Sequence, residues 1–158
     1  MGKDGRALRD GAVAGLVATA TMSTVMLAAR RLGLMGEPPP QRIADAALEA
    51  VGQRRSPAWL RKGLAVTGHF GFGAALGAAC ALAHRRYPAP LAPIPRGLIV
   101  GSIVWFGSYQ GWVPALGIMP PARRDRPGRP ATMLAAHWVY GATLALCLGR
   151  GGRRDTLG

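Results

Sequence analysis

Residues 63–84, GLAVTGHFGFGAALGAACALAH, contain no Asp, Glu, Lys or Arg. Three other segments share this property, namely 11–29, 97–122 and 130–149. As a helix, the shortest of them reaches about 28 Å, which is close to the hydrocarbon thickness of a bilayer. A soluble helix of this length would carry charged residues on its outward face. The sequence therefore predicts four transmembrane helices, at about 11–31, 63–84, 97–117 and 131–149.

Charge is confined to short clusters between these segments. The 20 Lys and Arg residues against 7 acidic ones give a formal net charge of +13. Such a balance can indicate nucleic-acid binding, but cations at the edges of apolar spans are typical of membrane proteins, so no nucleic-acid partner is expected. The basic rims should instead attract the anionic head groups of membrane lipids. An even number of spans places both termini on one side, and the tight clusters there favour the cytoplasm.

Two eight-residue motifs suggest an internal repeat. His69-Phe-Gly-Phe-Gly-Ala-Ala-Leu76 and His137-Trp-Val-Tyr-Gly-Ala-Thr-Leu144 share the pattern His, aromatic, any residue, aromatic, Gly, Ala, any residue, Leu. The Gly11 and Gly15 pair of the first span also matches Gly97 and Gly101 of the third. We therefore predict an all-α, integral membrane four-helix bundle in which two tandem parallel-repeat hairpins form a single domain over residues 1–158. Chance convergence of Gly- and Ala-rich helices is the alternative.

Small residues spaced four apart occur in every predicted span. They lie on one face of a helix, where they let two backbones approach closely, and this contact drives helix association in lipid. Such faces also allow a homo-oligomer. A soluble Ala-rich bundle is the competing interpretation. The predicted packing glycines are Gly11, Gly15, Gly73, Gly77, Gly97, Gly101, Gly107, Gly111 and Gly141.

The loop after the first span contains an amphipathic stretch at about 41–52. Ile43 and Ala47 fall on one side at helical spacing, whereas Asp45 and Glu49 fall on the other. This pattern predicts a short helix that lies at the membrane interface or packs over the bundle.

The histidines define a candidate polar site inside the membrane. His69 and His137 lie on spans that the repeat makes parallel, with Tyr140 beside His137, and Tyr109 and Gln110 of the third span should reach the same layer. Ionisable residues in spans tend to face the bundle and to mark function. The simplest role is structural, in which the two imidazoles fix the register between helices by hydrogen bonding.

Two functional alternatives use the same residues. One is a transporter or channel for protons or small molecules, lined by His69, His137 and the hydroxyls of the first span, Thr19, Thr21, Ser23 and Thr24. The other is binding of a b-type haem or a metal by the two histidines. No cofactor or metal is predicted outright, because two histidines under-coordinate most transition metals. The acidic residues all lie outside the spans and no HExxH, GxSxG or P-loop pattern occurs, so the sequence predicts a protein that is not an enzyme.

The chain resembles a known family in three places. These are the opening Gly11-Ala-Val-Ala-Gly15, the Pro-rich exit of the first span, and His137-Trp-Val-Tyr-Gly141. They are similar to the YagU-type family of uncharacterised small bacterial inner-membrane proteins. The resemblance implies a multi-pass protein of the bacterial cytoplasmic membrane, and it implies no particular activity.

Overall fold

The computed structural model describes residues 2–88 and 90–154, the last five of them as backbone only, and all regular secondary structure in these ranges is helical. The final four residues, and with them the C terminus that we expect in the cytoplasm, lie outside the described part. In chain order the elements are α1 (Lys3–Arg31), α2 (Pro39–Ala50), α3 (Ala58–Arg86), α4 (Pro93–Trp105), a π-helical segment (Phe106–Trp112), α5 (Val113–Ala115), a 3-10 turn (Ala122–Arg124) and α6 (Arg129–Arg154).

Three helices are long and apolar enough to cross a membrane: Lys3–Arg31, Ala58–Arg86 and Arg129–Gly149. All three begin before the predicted spans, because the charged residues that mark the end of an apolar stretch are themselves good helix formers. Helix α2 begins two residues before the predicted 41–52 helix. Pro39 and Pro40 fit its first turn, where a missing N–H leaves no hydrogen bond unmade.

The third predicted span is not one continuous α-helix. Helix α4 has only 13 residues, and 13 residues reach about 20 Å along a helix axis. The chain continues as a π-helical segment with non-helical angles at Gly111 (φ −96°, ψ −105°) and then as the short helix α5. A π-helical turn holds more residues than an α-helical one, so the side chains beyond it point in new directions.

The first and third spans end in the same way. Gly33 after α1 and Gly117 after α5 have φ values of +75° and +70°, which favour glycine. In both turns an N–H bonds to a carbonyl five residues earlier, from Leu34 to Ala29 at 3.0 Å and from Ile118 to Val113 at 3.1 Å. This is the hydrogen bond of a Schellman motif. The methionines that follow the two turns, at positions 35 and 119, are both buried.

The long helices pack as antiparallel neighbours through glycine. Gly11 and Gly15 of α1 lie against the backbone of Gly77 and Gly73 of α3. Gly97 and Gly101 of α4 lie in the same way against α6, at Gly141 and His137. Helix α1 also packs along α6, with the Thr21 and Thr143 hydroxyls 3.2 Å apart. These pairings place the helices in the order α3, α1, α6, α4.

The contact register differs from the motif alignment by one helical turn. The motifs align His69 with His137 and Gly73 with Gly141. In the packed helices, however, Gly77 lies between Gly11 and Gly15 of α1. Gly141 lies in the same way between Gly97 and Gly101 of α4. Gly73 accordingly corresponds to His137, a difference of four residues from the motif alignment. The two hairpins thus make the same kind of glycine contact. Relative to the motif alignment, however, α3 and α6 differ in position by one helical turn.

Two of the predicted packing glycines do not pack. A Cβ built on Gly107 meets no atom within 4 Å, and one built on Gly111 meets only the Phe106 carbonyl of its own segment, at 3.4 Å. Both lie in the π-helical segment. The main chain also leaves helical geometry at Gly111, and no neighbouring helix lies against either glycine.

Helix α2 is attached to the start of α3 by an ion pair. Arg61 Nε donates to Asp45 Oδ1 at 2.7 Å, and the Arg61 Nη2 to Asp45 Oδ2 distance is also 2.7 Å. The hydrogen bond from Arg61 is the main reason that the pKa of Asp45 lies below its ordinary value. This pairing holds α2 beside α3, across one end of the bundle.

Candidate functional site

A cavity of about 300 Å³, here called the main cavity, lies between α3 and α4 under α2. The glycine-containing faces of α3 and α4 pack against α1 and α6, respectively. In the described residues, α3 and α4 therefore do not pack along each other, and the cavity remains between them. The wall is mostly apolar. Its larger aliphatic and thioether side chains are Met22, Met26, Ile43, Leu64, Leu76, Val104, Val113 and Met133.

Four of the five predicted polar site residues lie on the wall of the main cavity: His69, His137, Tyr109 and Tyr140. The fifth, Gln110, is not among the lining residues. Its Oε1 instead accepts a hydrogen bond from the backbone N–H of Ala122 at 3.1 Å. The structure therefore brings the histidines and tyrosines together and assigns Gln110 to the loop that follows α5.

The π-helical segment supplies one side of the main cavity. Ser108, Tyr109 and Trp112 of this segment line the wall. The Tyr109 ring stacks on Trp105 with a centroid distance of 5.9 Å. Single turns of π-helix are frequent at functional sites, because the extra residue re-aims side chains. The sequence carries no signal for this turn that we recognise.

His69 has a hydrogen-bonding group without a partner. Its Nε2 atom is buried and makes no hydrogen bond to any described residue. Burying such a group without a partner costs free energy. The ring lies on the wall of the main cavity, and a turn of the ring would present this nitrogen to a molecule held there.

His137 is oriented by its own helix. Its ring is only 6% exposed, and its Nδ1 lies 2.7 Å from the Met133 carbonyl oxygen. A carbonyl oxygen only accepts, so in this contact Nδ1 carries the proton and Nε2 of the neutral ring is an acceptor. The two histidines thus add imidazole rings to a mostly apolar wall.

Tyr140 connects α6 to α3. Its side chain is buried, and its hydroxyl donates to the Gly73 carbonyl oxygen at 2.8 Å. That oxygen faces Gly15 of α1, where α1 and α3 lie in close contact. The bond therefore holds three helices at the level of the main cavity.

Replacing Tyr140 with Phe should lower the stability of the fold by about 0.6 kcal/mol, the average for hydrogen bonds between membrane helices. The ring and its packing remain, and only the hydroxyl is removed. Unfolding by SDS, followed by circular dichroism in mixed micelles, measures the change. Tyr87→Phe is the control because Tyr87 is 80% exposed. Equal unfolding midpoints for the two variants would contradict the assigned role of the hydroxyl.

The α1 hydroxyls that a transport path would use bond to their own helix. Thr19 Oγ1 donates to the Gly15 carbonyl at 2.8 Å, and Ser23 Oγ donates to the Thr19 carbonyl at 2.8 Å. The hydroxyls of Thr21 and Thr24 donate in the same way to carbonyls three residues earlier. Of these four residues, only Thr19 lines the main cavity.

A buried ion pair beside the main cavity was missed by sequence reasoning. Asp125 and Arg129 are 3.0 Å apart, and their side chains are only 2% and 6% exposed. Arg129 Nε also donates to the Met35 carbonyl oxygen at 2.7 Å, and the hydroxyl of Tyr109 donates to Asp125. This network, here called the Asp125 network, joins the loops after α1 and α5 to the start of α6.

A signal for the Asp125 network was present in the sequence. The segment 123–129 reads as a solvated basic turn because it contains four arginines. Asp125 is nevertheless the one acidic residue between Glu49 and Asp155. A single carboxylate four residues before an arginine can form an ion pair on a helical turn. Only the neighbouring loops decide that this pair is buried.

Among the described residues, no group of three or more His, Cys, Asp or Glu side chains is arranged to hold a metal ion. The two cysteines, Cys80 and Cys147, are free thiols on α3 and α6.

Comparison with known proteins gives a match to a family model. A family model described as a family of unknown function, DUF6789, matches residues 6–157. No curated protein and no solved structure matches the chain. The match does not connect the chain by name to the YagU-type family that its motifs resemble. Because the matched region covers nearly the whole chain and includes every residue of the main cavity, the protein belongs to the DUF6789 family.

Proposed function

We propose that this protein is a non-enzymatic, multi-pass protein of the bacterial cytoplasmic membrane that binds an apolar small molecule between α3 and α4. The three long apolar helices support a place in the membrane. The observation that carries the binding proposal is the main cavity, which combines about 300 Å³ of mostly apolar space with one unpartnered buried nitrogen, His69 Nε2. Pockets for small ligands commonly have this composition and begin at about this size.

The proposal includes a fourth span, formed by α4, the π-helical segment and α5 together. Irregular helix is tolerated at membrane depth where it lies against protein or a cavity, and the π-helical segment borders the main cavity. The chain is then a four-helix bundle of two tandem hairpins. Matching glycine contacts and matching exit turns support an internal repeat, and the one-turn difference in register requires that one pair of helices has shifted since duplication.

The main cavity has a mouth on the outer surface of the bundle. Leu64, Phe72 and Trp112 line it and are 39%, 52% and 39% exposed. In a bilayer these side chains would face lipid tails, so an apolar molecule can enter sideways from the membrane. An apolar cavity is a poor site for water but a good one for an apolar guest.

The polar atoms restrict the chemistry of the guest. The wall offers histidine nitrogens and contains no Asp, Glu, Lys or Arg. A guest with a single hydroxyl or carbonyl group on an apolar body would satisfy His69 Nε2, whereas a charged guest would find no counter-charge. We therefore propose a neutral, largely hydrocarbon molecule with one hydrogen-bonding group.

Binding accounts for the structure better than transport does. A path for protons or polar solutes needs a continuous row of polar groups, but the α1 hydroxyls are bonded to their own helix. Helix α2 also covers one end of the main cavity, through Pro39, Ile43 and Ala47. These features favour a closed site that opens towards lipid.

Filling the main cavity should remove the guest, and Gly68→Leu does so with little strain. Gly68 lines the cavity, and a Cβ built there meets no atom within 4 Å. Gly71→Leu is the matched control, since Gly71 is equally open but lies outside the cavity. After purification in mild detergent, solvent extraction and mass spectrometry should find the guest with the wild type and with Gly71→Leu. Gly68→Leu should retain about tenfold less, which corresponds to about 1.4 kcal/mol.

Other results would replace this proposal. Absence of any extracted guest from the wild type, or equal amounts with both leucine variants, would contradict binding in the main cavity. A Soret absorption band that is lost in His69→Ala and His137→Ala would favour the haem alternative. Proton or solute flux in liposomes that is lost in the same two variants would favour transport.

A further inference from the structure

A second cavity lies at the opposite end of the gap between α3 and α4. It has a volume of about 210 Å³ and is here called the rim cavity. Its walls combine apolar and cationic side chains, including Cys80, His84, Arg96, Val100, Leu144 and Leu148. His84 is the last residue of one charge-free segment, and Arg96 directly precedes another. The rim cavity therefore sits where the predicted spans meet the head-group region.

Arg96 reaches into the rim cavity without a counter-charge. Its Nη1 atom lies 2.9 Å from Nε2 and 3.1 Å from Nδ1 of His84. A neutral imidazole can accept a hydrogen bond but does not neutralise a guanidinium. Among the described residues, no carboxylate forms an ion pair with Arg96.

The two acidic residues that the structure describes at this end, Asp4 and Asp10, are already paired. Asp4 lies 3.0 Å from Arg85 and 3.4 Å from Arg86, and Asp10 lies 2.8 Å from Arg9. These pairs leave no other carboxylate on the neighbouring ends of α1 and α3. An anion other than these two carboxylates is therefore needed to pair with Arg96.

We propose that the rim cavity binds an anionic phospholipid, with its phosphate on Arg96 and an acyl chain along the gap between α3 and α4. A guanidinium can donate two parallel hydrogen bonds to a phosphate. The apolar side chains of Val100, Leu144 and Leu148 line the same cavity and form a wall for part of the chain. Tyr87, which is 80% exposed at the same rim, is a residue type enriched at head-group level. This inference rests on the membrane placement in the proposed function, but it does not depend on a guest in the main cavity.

Native mass spectrometry of the full chain in detergent, with phosphatidylglycerol or phosphatidylcholine added, tests the site. The wild type should retain phosphatidylglycerol under collisional activation in preference to phosphatidylcholine. Arg96→Gln should lower that retention by about tenfold, to the level of phosphatidylcholine, because a charge-assisted hydrogen bond is lost. Arg6→Gln is the matched control, since it removes the same charge from the same rim outside the rim cavity. Arg96→Lys, which keeps the charge, should preserve part of the selectivity and shows that the altered chain still folds.

The outcomes separate this inference from the proposed function. Equal retention of phosphatidylglycerol by wild type and Arg96→Gln, or equal losses in Arg96→Gln and Arg6→Gln, would overturn the lipid site alone. Displacement of the lipid by millimolar inorganic phosphate would also overturn it, because the site would then recognise a free anion. Gly68→Leu should leave lipid retention unchanged. A chain that stays soluble when cell membranes are sedimented would instead contradict the proposed function.

Discussion

Replacing Asp125 with Asn should destabilise the folded protein by about 3–5 kcal/mol, the usual cost of removing one partner from a buried ion pair. The substitution keeps the shape of the side chain and an acceptor for the Tyr109 hydroxyl. It leaves the guanidinium of Arg129, whose side chain is 6% exposed, without its counter-charge. The loss should be large because Arg129 also holds the Met35 carbonyl and so connects two loops to α6.

SDS unfolding followed by circular dichroism measures this loss. Glu49→Gln is the control, since its ion pair with Arg54 is solvent-exposed, with side chains 54% and 75% exposed, respectively. An exposed pair contributes about 0–1 kcal/mol. The double variant Asp125→Asn/Arg129→Gln should lose less than the sum of the two single variants, because neither charge is then left alone. A midpoint for Asp125→Asn within the range of Glu49→Gln would show that the Asp125 network does not stabilise the fold.

Gly77→Leu should have the second-largest effect, at or above the upper end of the roughly 1–3 kcal/mol that overpacking costs. A Cβ at this position would lie 2.7 Å from Cα and 2.9 Å from N of Gly15. These are backbone atoms, so no change of rotamer can relieve the contact and the α1 and α3 helices must separate. Gly141→Leu should behave similarly in the second hairpin, where a Cβ would lie 3.0 Å from the Gly101 nitrogen.

The control for both leucine variants is Gly71→Leu, where a Cβ meets no atom within 4 Å. Leucine is the better helix former by almost 1 kcal/mol, so this variant should be neutral or slightly stabilised. The same SDS titration compares the three proteins. Similar midpoints for Gly77→Leu and Gly71→Leu would show that close glycine contact does not hold the first hairpin together.

The position of the polar site was only partly accessible from the sequence. The placement of His69 and His137 on helices, with glycine nearby, follows from their local pattern. Their arrangement around one cavity depends on how four separate elements pack. Gln110 illustrates the limit, since a change of helix type nearby directs its side chain to the loop at Ala122 instead.

The sequence by itself determined where the chain is helical and apolar, and that glycines of α1, α3, α4 and α6 pack against neighbouring helices. These properties are local, because an apolar stretch in lipid must satisfy its backbone hydrogen bonds within its own helix, and a missing side chain permits close approach whichever partner it meets. Only the tertiary structure decided the π-helical turn at Phe106–Trp112, the burial of Asp125 with Arg129, and the gap between α3 and α4. The ion pair is buried because loops distant in the chain cover it. The gap remains because the glycine-containing faces of α3 and α4 already pack against α1 and α6.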